Sequence, residues 1–269
     1  MPKALVNGVH IYYEVYGRGE PILLIMGGGG SALAWQSQIP TFSQHLRVIA
    51  YDNRDCGRSE KLAAEYAIAH MADDALALLQ HLDMPSAHVF GVSMGGMIAQ
   101  DLALRYPEHV RTLILGGTSP CLAAMPSSEK ALRALIESTL LSGREAFDRM
   151  IWTIYSDAYV AANKEDLWLR FQVEAGLTPP LDSLRHHLIA TNAFDVRDRL
   201  GEILVPTLVM TGDEDPLVPP ENSRFLAEHI PGAEFIVYPG ARHAFSNEFE
   251  EGCNDAVLDF IRRHSSIAV

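Results

Sequence analysis

The chain has 269 residues, of which 34 are acidic and 21 are basic, so its formal net charge is −13 with histidine neutral. This acidic balance argues against a nucleic-acid-binding protein, because neutralising phosphates requires a basic surface. Hydrophobic residues make up 48% of the chain and charged residues 20%, which is typical of a globular protein of one large domain or two small ones.

Neither a membrane span nor an export signal is expected. The strongly apolar stretches are much shorter than the roughly 20 residues that a spanning helix needs. The N-terminal residues lead into a strand-like segment and not into an apolar signal run. Cys56, Cys121 and Cys253 are widely spaced and odd in number, which favours a reducing compartment over a disulfide framework. We therefore expect a soluble cytoplasmic protein.

Strands alternate with helices over the first 119 residues. Alternating or continuous runs of bulky apolar residues predict strands at residues 9–16, 21–26, 46–51, 87–92 and 110–115. Apolar residues at helical spacing predict helices at residues 71–82 and 94–106, the second ending before Pro107. This alternation indicates a mostly parallel sheet with helices on both faces.

The alternation stops at about residue 120. Helical segments are predicted at residues 132–141, 146–159, 166–175 and 181–190, with Asn163 placed to cap the third. The strand pattern then resumes at residues 205–211 and 234–238, followed by a helix over 249–264. We therefore predict an α/β core of residues 1–119 and 196–269, with a helical subdomain of residues 120–195 inserted into it.

The most informative motif is the Gly-Val-Ser-Met-Gly sequence of residues 91–95, between a predicted strand and a predicted helix. In that context G-x-S-x-G is typical of a nucleophile elbow, in which small residues let the chain turn sharply and hold the Ser93 hydroxyl clear of the sheet. By itself the motif is equally compatible with a tight turn that carries a capping serine.

Two later segments favour the catalytic interpretation. Asp215 follows one predicted strand and His243 follows another, so both lie at the carboxyl edge where open α/β sheets build their sites. The chain order Ser93, Asp215, His243 is the order of a serine triad on a strand–turn–helix nucleophile elbow. Asp213 and Glu214 are neighbouring carboxylates that compete with Asp215 for the same role.

With these residues in place, the sequence resembles the α/β-hydrolase superfamily over nearly all of residues 1–119 and 196–264. Residues 52–59, Asp-Asn-Arg-Asp-Cys-Gly-Arg-Ser, resemble the family's D-x-R-G-x-G-x-S stretch, with Asp55 in place of its first glycine. The resemblance implies an α/β-hydrolase fold with a helical cap inserted after the sixth strand. The family's G-x-x-D-P spacing also favours Asp215 over its neighbours.

The resemblance and the chemistry of the residues together assign roles. His243 would take the Ser93 proton during attack, and Asp215 would fix the imidazole tautomer. The Met94 N–H, next to the nucleophile and at a helix N-terminus, is one expected donor to the oxyanion. Alignment of the Met-Gly-Gly sequence at residues 26–28 with the family's His-Gly-x makes Gly28 the second donor, with Gly29 as the alternative.

A cap over the sheet would form a largely apolar cleft for a small-molecule substrate. The expected lining residues are apolar and aromatic side chains near the triad or in the cap: Trp35, Trp152, Tyr155, Val218 and Phe245, with Met125, Trp168 and Phe171 as further candidates.

The leading hypothesis is a cofactor-free hydrolase of carboxylic esters or lactones, with N-acyl-homoserine lactones among the candidates. The sequence is similar to small capped esterases and lactonases, including 3-oxoadipate enol-lactonases, acyl-homoserine-lactone lactonases and polyketide methyl esterases. Carbon–carbon bond hydrolases and cofactor-independent haloperoxidases share the triad and remain alternatives, and a ligand-binding receptor on the same scaffold is a further one. No metal site is expected, because the adjacent His186 and His187 point in different directions on a helix and H-E-x-x-H is absent.

Overall fold

The computed structural model describes residues 2–265, and an eight-stranded sheet forms the centre of this part of the chain. The strands are β1 (Lys3–Val6), β2 (Val9–Gly17), β3 (Pro21–Ile25), β4 (Arg47–Tyr51), β5 (Ala87–Val92), β6 (Val110–Gly116), β7 (Thr207–Gly212) and β8 (Glu234–Tyr238). Their order across the sheet is β1-β2-β4-β3-β5-β6-β7-β8. Only β1–β2 and β2–β4 pair antiparallel in the described sheet, and the remaining neighbours are parallel.

Helices cover both faces of this sheet, and four more form an insertion. The α-helices of the described residues are α1 (Ile39–Phe42), α2 (Ile68–His81), α3 (Met94–Arg105), α4 (Glu129–Ser138), α5 (Gly143–Ile154), α6 (Asp157–Ala175), α7 (Leu181–Ala193), α8 (Pro220–His229), α9 (Phe245–Glu248) and α10 (Glu250–His264). Successive strand residues point to opposite faces. Leu23 and Ile25 therefore pack in one apolar cluster with α2, α3 and α8, whereas Ile22 and Leu24 pack in another with α1 and α10. The predicted α/β-hydrolase fold class is confirmed.

Helices α4 to α7 follow the sixth strand and precede the seventh, and we call them the helical insertion. They have a small apolar cluster of their own, built on Phe147, Ile151 and Leu167. The Phe147 ring meets the edges of Trp168 and Phe171, with centroid separations of 5.5 and 5.6 Å. The candidate lining residues Trp168 and Phe171 therefore pack within this cluster.

Two predicted helix boundaries in the insertion are wrong. The segment predicted as one helix over residues 146–159 is broken at Ser156, whose hydroxyl accepts the Tyr159 N–H at 3.3 Å and caps α6. A local side-chain cap there outweighs the continuous apolar spacing. Asn163 does not start a helix but is a kink inside α6, with φ −127° and ψ 15°, and its amide donates to the Tyr159 carbonyl.

The parallel arrangement brings several loops to one edge of the sheet. The carboxyl ends of β3, β5, β7 and β8 lead into the four-glycine loop, Ser93, Asp215 and His243, respectively. Parallel strands place their carboxyl ends side by side, so the sequence-predicted site residues share one edge. Within residues 2–265, no helix is both long enough and apolar enough to cross a membrane.

Candidate active site

Ser93 lies in a strained turn between β5 and α3. Its backbone angles are φ 58° and ψ −126°, a region that non-glycine residues rarely occupy. The turn is held from β6 and the segment after it: the Ser93 N–H donates to the Gly116 carbonyl at 2.9 Å, and the Thr118 hydroxyl donates to the Ser93 carbonyl at 2.6 Å. This is the geometry of a nucleophile elbow, in which the side chain stands clear of the sheet.

The glycines around Ser93 are required by close packing. A Cβ atom at Gly91 would lie 2.2 Å from the Gly95 carbonyl oxygen, and one at Gly95 would lie 2.0 Å from the Ile25 oxygen. A Cβ at Gly96 would lie 2.5 Å from the Thr118 Cβ. Helix α3 can therefore start directly against β3 and β5 only because these positions carry no side chain.

Replacing Gly95 with alanine is expected to lower the free energy of unfolding by about 2–3 kcal/mol, because the added methyl group clashes with backbone that has no room to move. Gly252, in the exposed face of α10, is the matched control: nothing lies within 4 Å of a Cβ there. Gly252→Ala is expected to stabilise the protein by about 0.5–1 kcal/mol through helix propensity. Urea unfolding measures both, and equal midpoints for the two variants would contradict the steric argument.

Asp215 and His243 form a hydrogen-bonded pair next to this elbow. His243 Nδ1 lies 2.7 Å from Asp215 Oδ2. The other carboxylate oxygen accepts the N–H groups of Leu217 and Val218 at 2.8 and 2.9 Å. The Asp215 side chain is fully buried and that of His243 is 13% exposed. Three hydrogen bonds thus fix the carboxylate against the imidazole.

The pairing sets the protonation of His243. Burial by itself lowers the pKa of His243, but the charge of Asp215 and the hydrogen bond to it outweigh burial, so the pKa of His243 is raised. Because a carboxylate only accepts, the neutral ring carries its proton on Nδ1 and leaves the lone pair on Nε2. The imidazole is therefore placed to accept a proton at Nε2.

The end of β6 connects Ser93 with this pair. Gly116 accepts the Ser93 N–H, and a Cβ at Gly117 would lie 3.4 Å from Asp215 Oδ2 and 3.6 Å from His243 Nδ1. Among the hydrogen bonds within residues 2–265 there is none between the Ser93 hydroxyl and His243. Such bonds are frequently long in unliganded enzymes and tighten when substrate binds.

The two neighbouring carboxylates have other partners. Asp213 accepts the Gly240 N–H at 2.6 Å, in an exposed turn. Glu214 is 57% exposed, and its carboxylate lies 4.0 Å from Arg242. Asp215 is therefore the carboxylate of the three that contacts the imidazole.

The four-glycine loop after β3 runs against the elbow, since a Cβ at Gly27 would lie 2.8 Å from the Ser93 Cβ. The segment after β4 holds the loop at both ends. The Asn53 amide donates to the Met26 carbonyl at 2.8 Å, and Asp52 accepts the Ala32 N–H at 2.7 Å. The loop that is expected to supply an oxyanion donor is therefore fixed by side chains of residues 52–53.

The central N–H groups of this loop are not equivalent. The Gly29 N–H donates to His187 Nδ1, 3.3 Å away on α7. Gly28 lies beside Met94, with 3.8 Å between a Cβ at Gly28 and the Met94 sulfur. Within residues 2–265 the Gly28 N–H has no hydrogen-bond partner, whereas the Gly29 N–H has one.

Three of the expected lining residues are buried in the protein. Trp35 is 1% exposed, and its ring centroid lies 5.0 Å from that of Phe90 in the core. Phe245 has no exposed surface and stacks on Tyr238 at 5.3 Å. Val218 is 3% exposed, and its N–H is the one that holds Asp215. These side chains pack in the protein interior next to the site residues.

The other two lie in the helical insertion. Trp152 is half-buried, and the Lys130 ammonium lies 4.7 Å from its ring centroid. Tyr155 stacks on Tyr159 at 5.3 Å, and its hydroxyl accepts the Asn247 amide at 3.4 Å. Tyr155 is therefore the expected lining residue that joins the insertion to α9, the short helix after His243.

Further contacts tie the histidine loop to the insertion. The Ala244 N–H donates to the Ile154 carbonyl at 2.8 Å, and Arg242 donates to the Trp152 carbonyl at 2.7 Å. Glu248 accepts the Ser156 N–H at 3.1 Å and the Arg242 N–H at 2.9 Å. The position of His243 consequently depends on α5 and α6.

The adjacent histidines of α7 have separate partners, His186 with Asp55 and His187 with the glycine loop. Across residues 2–265, no group of three or more His, Cys, Asp or Glu side chains is arranged to hold a metal ion.

Comparison with known proteins extends these observations. Residues 20–248 match the family profile described as the alpha/beta hydrolase fold. A relative from Azorhizobium caulinodans, named "Putative carbamate hydrolase RutD", is 34% identical over 262 residues, which cover 97% of this chain and 98% of that protein.

Two solved structures are similar along the whole chain. The enol-lactonase from Burkholderia xenovorans LB400 superposes with a TM-score of 0.86 at 26% identity, covering 97% of this chain and 99% of that one. Est816, described as an N-acyl homoserine lactone degrading enzyme, superposes with a TM-score of 0.82 at 30% identity, covering 96% and 100%. Profile, sequence and structure agree, and the chain belongs to the alpha/beta hydrolase fold family.

Proposed function

We propose that this protein is a serine hydrolase that cleaves carboxylic esters or lactones through an acyl-enzyme, with no cofactor. The observation that carries the proposal is the 2.7 Å hydrogen bond between Asp215 and His243, which leaves Nε2 as the basic nitrogen beside a strained Ser93 elbow. The family supports hydrolysis, and the named activities of the two structural neighbours support lactones as a substrate class.

Each step uses a group of this chain. The Ser93 oxygen attacks the substrate carbonyl while its proton passes to His243 Nε2. The tetrahedral intermediate collapses, the alkoxide leaving group takes that proton, and the acyl group stays on Ser93. Water then repeats the sequence: His243 accepts a proton from water, the acyl–oxygen bond breaks, and Ser93 regains its proton. Asp215 stabilises the imidazolium that forms in both halves.

The negative charge of the intermediate is assigned to the N–H groups of Met94 and Gly28. Met94 is the first residue of α3, where the helix dipole favours an anion. The hydrogen bond of the Gly29 N–H to His187 supports Gly28 as the second donor. Each such donor is worth about 3–4 kcal/mol of transition-state stabilisation.

We assign the helical insertion as the cap over this site, with Tyr155 as a lining residue. Tyr155 contacts Asn247, and the main chain of the insertion is bonded to the histidine loop. The substrate is accordingly a small acyl compound that fits between the insertion and the carboxyl edge of the sheet.

Carbamate hydrolysis is a second candidate, favoured by the 34% identity to the relative named as a carbamate hydrolase. A carbamate carbonyl reacts with the same nucleophile and oxyanion donors, and the intermediate on Ser93 is then a carbamoyl group. The triad geometry serves both reactions, so the leaving group and acyl substituent distinguish them.

A substrate panel tests the proposal. Steady-state turnover of p-nitrophenyl esters, acyl-homoserine lactones and an aryl carbamate by the wild type is expected, with the relative kcat/KM ranking the three classes. A fluorophosphonate should add one phosphonyl group to Ser93, identified by peptide mass. Labelling without turnover of any of the three would favour carbon–carbon cleavage, peroxidation or a receptor, and the absence of labelling would contradict a nucleophilic Ser93.

Activity is expected to fall as the solution becomes acidic. The reaction needs neutral His243, and the raised pKa of His243 keeps the ring protonated to higher pH than an ordinary histidine. The acidic limb of the kcat/KM profile is therefore expected above the usual histidine value of about 6.5. A pH profile with the best ester checks this, and a limb below that value would contradict the assigned environment.

A further inference from the structure

His187 joins the helical insertion to the glycine loop. It lies on α7 with 3% of its surface exposed, and it contacts two backbone segments of the core. Nδ1 lies 3.3 Å from the Gly29 nitrogen, and Nε2 lies 3.3 Å from the Arg54 carbonyl oxygen. These segments follow β3 and β4, so a single side chain of the insertion contacts both.

The two hydrogen bonds define the state of the ring. A backbone N–H can only donate, so His187 Nδ1 must be the acceptor and the ring proton must lie on Nε2, where the Arg54 carbonyl accepts it. Burial lowers the pKa of His187, which favours this neutral form. Protonated histidine has no acceptor and could not hold Gly29.

The geometry of the loop explains why it needs such a partner. The Gly30 N–H donates to the Gly27 carbonyl at 3.2 Å, and Gly29 has φ +75°, as the third residue of a type II turn requires. A type I turn over the same residues turns the Gly28–Gly29 peptide over, so that the Gly29 N–H and the Gly28 carbonyl exchange sides and the bond to His187 is lost. Glycine adopts either form at little cost, so an outside contact must select one.

The same turn of α7 is anchored to the core by His186. Its Nδ1 lies 2.9 Å from Asp55 Oδ2, and both side chains are almost fully buried. Asp55 also accepts the Leu62 N–H at 2.7 Å. Burial alone would raise the pKa of Asp55, but the hydrogen bonds from Leu62 and His186 outweigh it, and the pKa is lowered. A charged Asp55 thus fixes α7 next to the loop.

We propose that His187 is a positioning residue that selects the turn conformation of the glycine loop and thereby holds Gly28, whose N–H is the assigned oxyanion donor, in its place beside Met94. The inference rests on the proposed function, because it assigns the insertion a role in forming the oxyanion hole of that same site. On this proposal, the glycine loop can bind the oxyanion only when α7 packs on the core.

Two substitutions at position 187 separate this role from packing. His187→Asn places an amide oxygen where Nδ1 lies and retains an acceptor for Gly29. His187→Gln extends the amide to the Nε2 position and removes the His187 acceptor of the Gly29 N–H, and His187→Phe retains a ring but no acceptor. Thr191→Val is the control for stability, since it removes a buried hydrogen bond to the His187 carbonyl of α7 without contacting the loop.

The measurements are kcat and KM with the best ester and the rate constant for phosphonylation of Ser93 by a fluorophosphonate. His187→Gln is expected to lower kcat and the phosphonylation rate by about 10- to 100-fold, less than the loss for deleting a donor outright, with KM nearly unchanged. His187→Asn should recover most of both rates, and Thr191→Val should lower the melting temperature while retaining them. His187→Phe gives the same test if His187→Gln does not fold.

Wild-type rates in both His187→Gln and His187→Phe would overturn the inference. So would equal losses in His187→Asn and His187→Gln, since only one of them lacks the acceptor. These results are distinct from failure of the proposed function, in which the wild type itself is not phosphonylated at Ser93.

Discussion

Ser93→Ala is expected to lower kcat for an ester or lactone by about a million-fold, because no acyl-enzyme can form without the hydroxyl. The loss should leave a small rate above that in water, since the Met94 and Gly28 N–H groups still bind the oxyanion. The measurement is steady-state turnover with enough enzyme to detect the residual rate, and fluorophosphonate labelling should disappear in parallel. Ser138→Ala is the control, because its hydroxyl only donates to its own helix at Leu135.

The backbone strain at Ser93 provides a second readout. The angles φ 58° and ψ −126° are unfavourable for alanine as for serine but ordinary for glycine. Ser93→Gly should therefore be as inactive as Ser93→Ala. Its free energy of unfolding, measured in urea, should be higher than that of Ser93→Ala by about 1 kcal/mol. Retained activity in either variant would contradict the nucleophile assignment, and equal stability of the two would contradict the strain.

The fold could be predicted from the sequence because its signals are local. The continuous apolar run that forms β3 is typical of a strand covered on both faces, and the alternating residues of β2 are typical of a half-buried strand; both patterns are encoded by neighbouring residues. The insertion was less predictable. The break between α5 and α6 depends on the Ser156 cap and on Glu248 from a distant segment, which holds the Ser156 N–H at 3.1 Å. The spacing of apolar residues along the chain does not predict a contact between segments so far apart in sequence.

The candidate site divides in the same way. Ser93, Asp215 and His243 each follow a strand, so chain order and strand ends suffice to propose them together. The contacts that hold the glycine loop are different. His187 is 158 residues from Gly29, and its ring accepts the main-chain N–H of Gly29, a group that every residue but proline carries and that therefore leaves no sequence pattern. Trp35 and Phe245 are close to the site along the chain, but their placement in the core depends on which face of the sheet they pack against.

The structure explains why Asp55 can replace the glycine of the related family motif. It stands where the related motif has glycine and has φ +67°, a left-handed conformation that glycine adopts more easily. The carboxylate compensates by pairing with His186 at 2.9 Å. The sequence shows the substitution, whereas only the fold brings its partner from α7.

Asp215→Asn is expected to lower kcat by about 10⁴-fold while leaving the fold intact. The asparagine oxygen can still accept the Leu217 and Val218 N–H groups, so the loop should hold its position. The amide nitrogen then faces His243 Nδ1 and donates to it, which moves the ring proton to Nε2. In that tautomer the imidazole cannot accept the Ser93 proton. The substitution therefore removes the general base while the His243 ring stays in place.

The variant should also change the pH dependence of the residual activity. Without the Asp215 charge, burial is left to lower the pKa of His243, so the acidic limb should move to lower pH than in the wild type. Asp213→Asn is the matched control, since its oxygen can still accept the Gly240 N–H in an exposed turn; it should retain the wild-type rate and limb. A larger loss of kcat in Asp213→Asn than in Asp215→Asn would assign the role of orienting His243 to Asp213. An acidic limb at the wild-type pH in Asp215→Asn would mean that a group other than His243 controls the pH dependence.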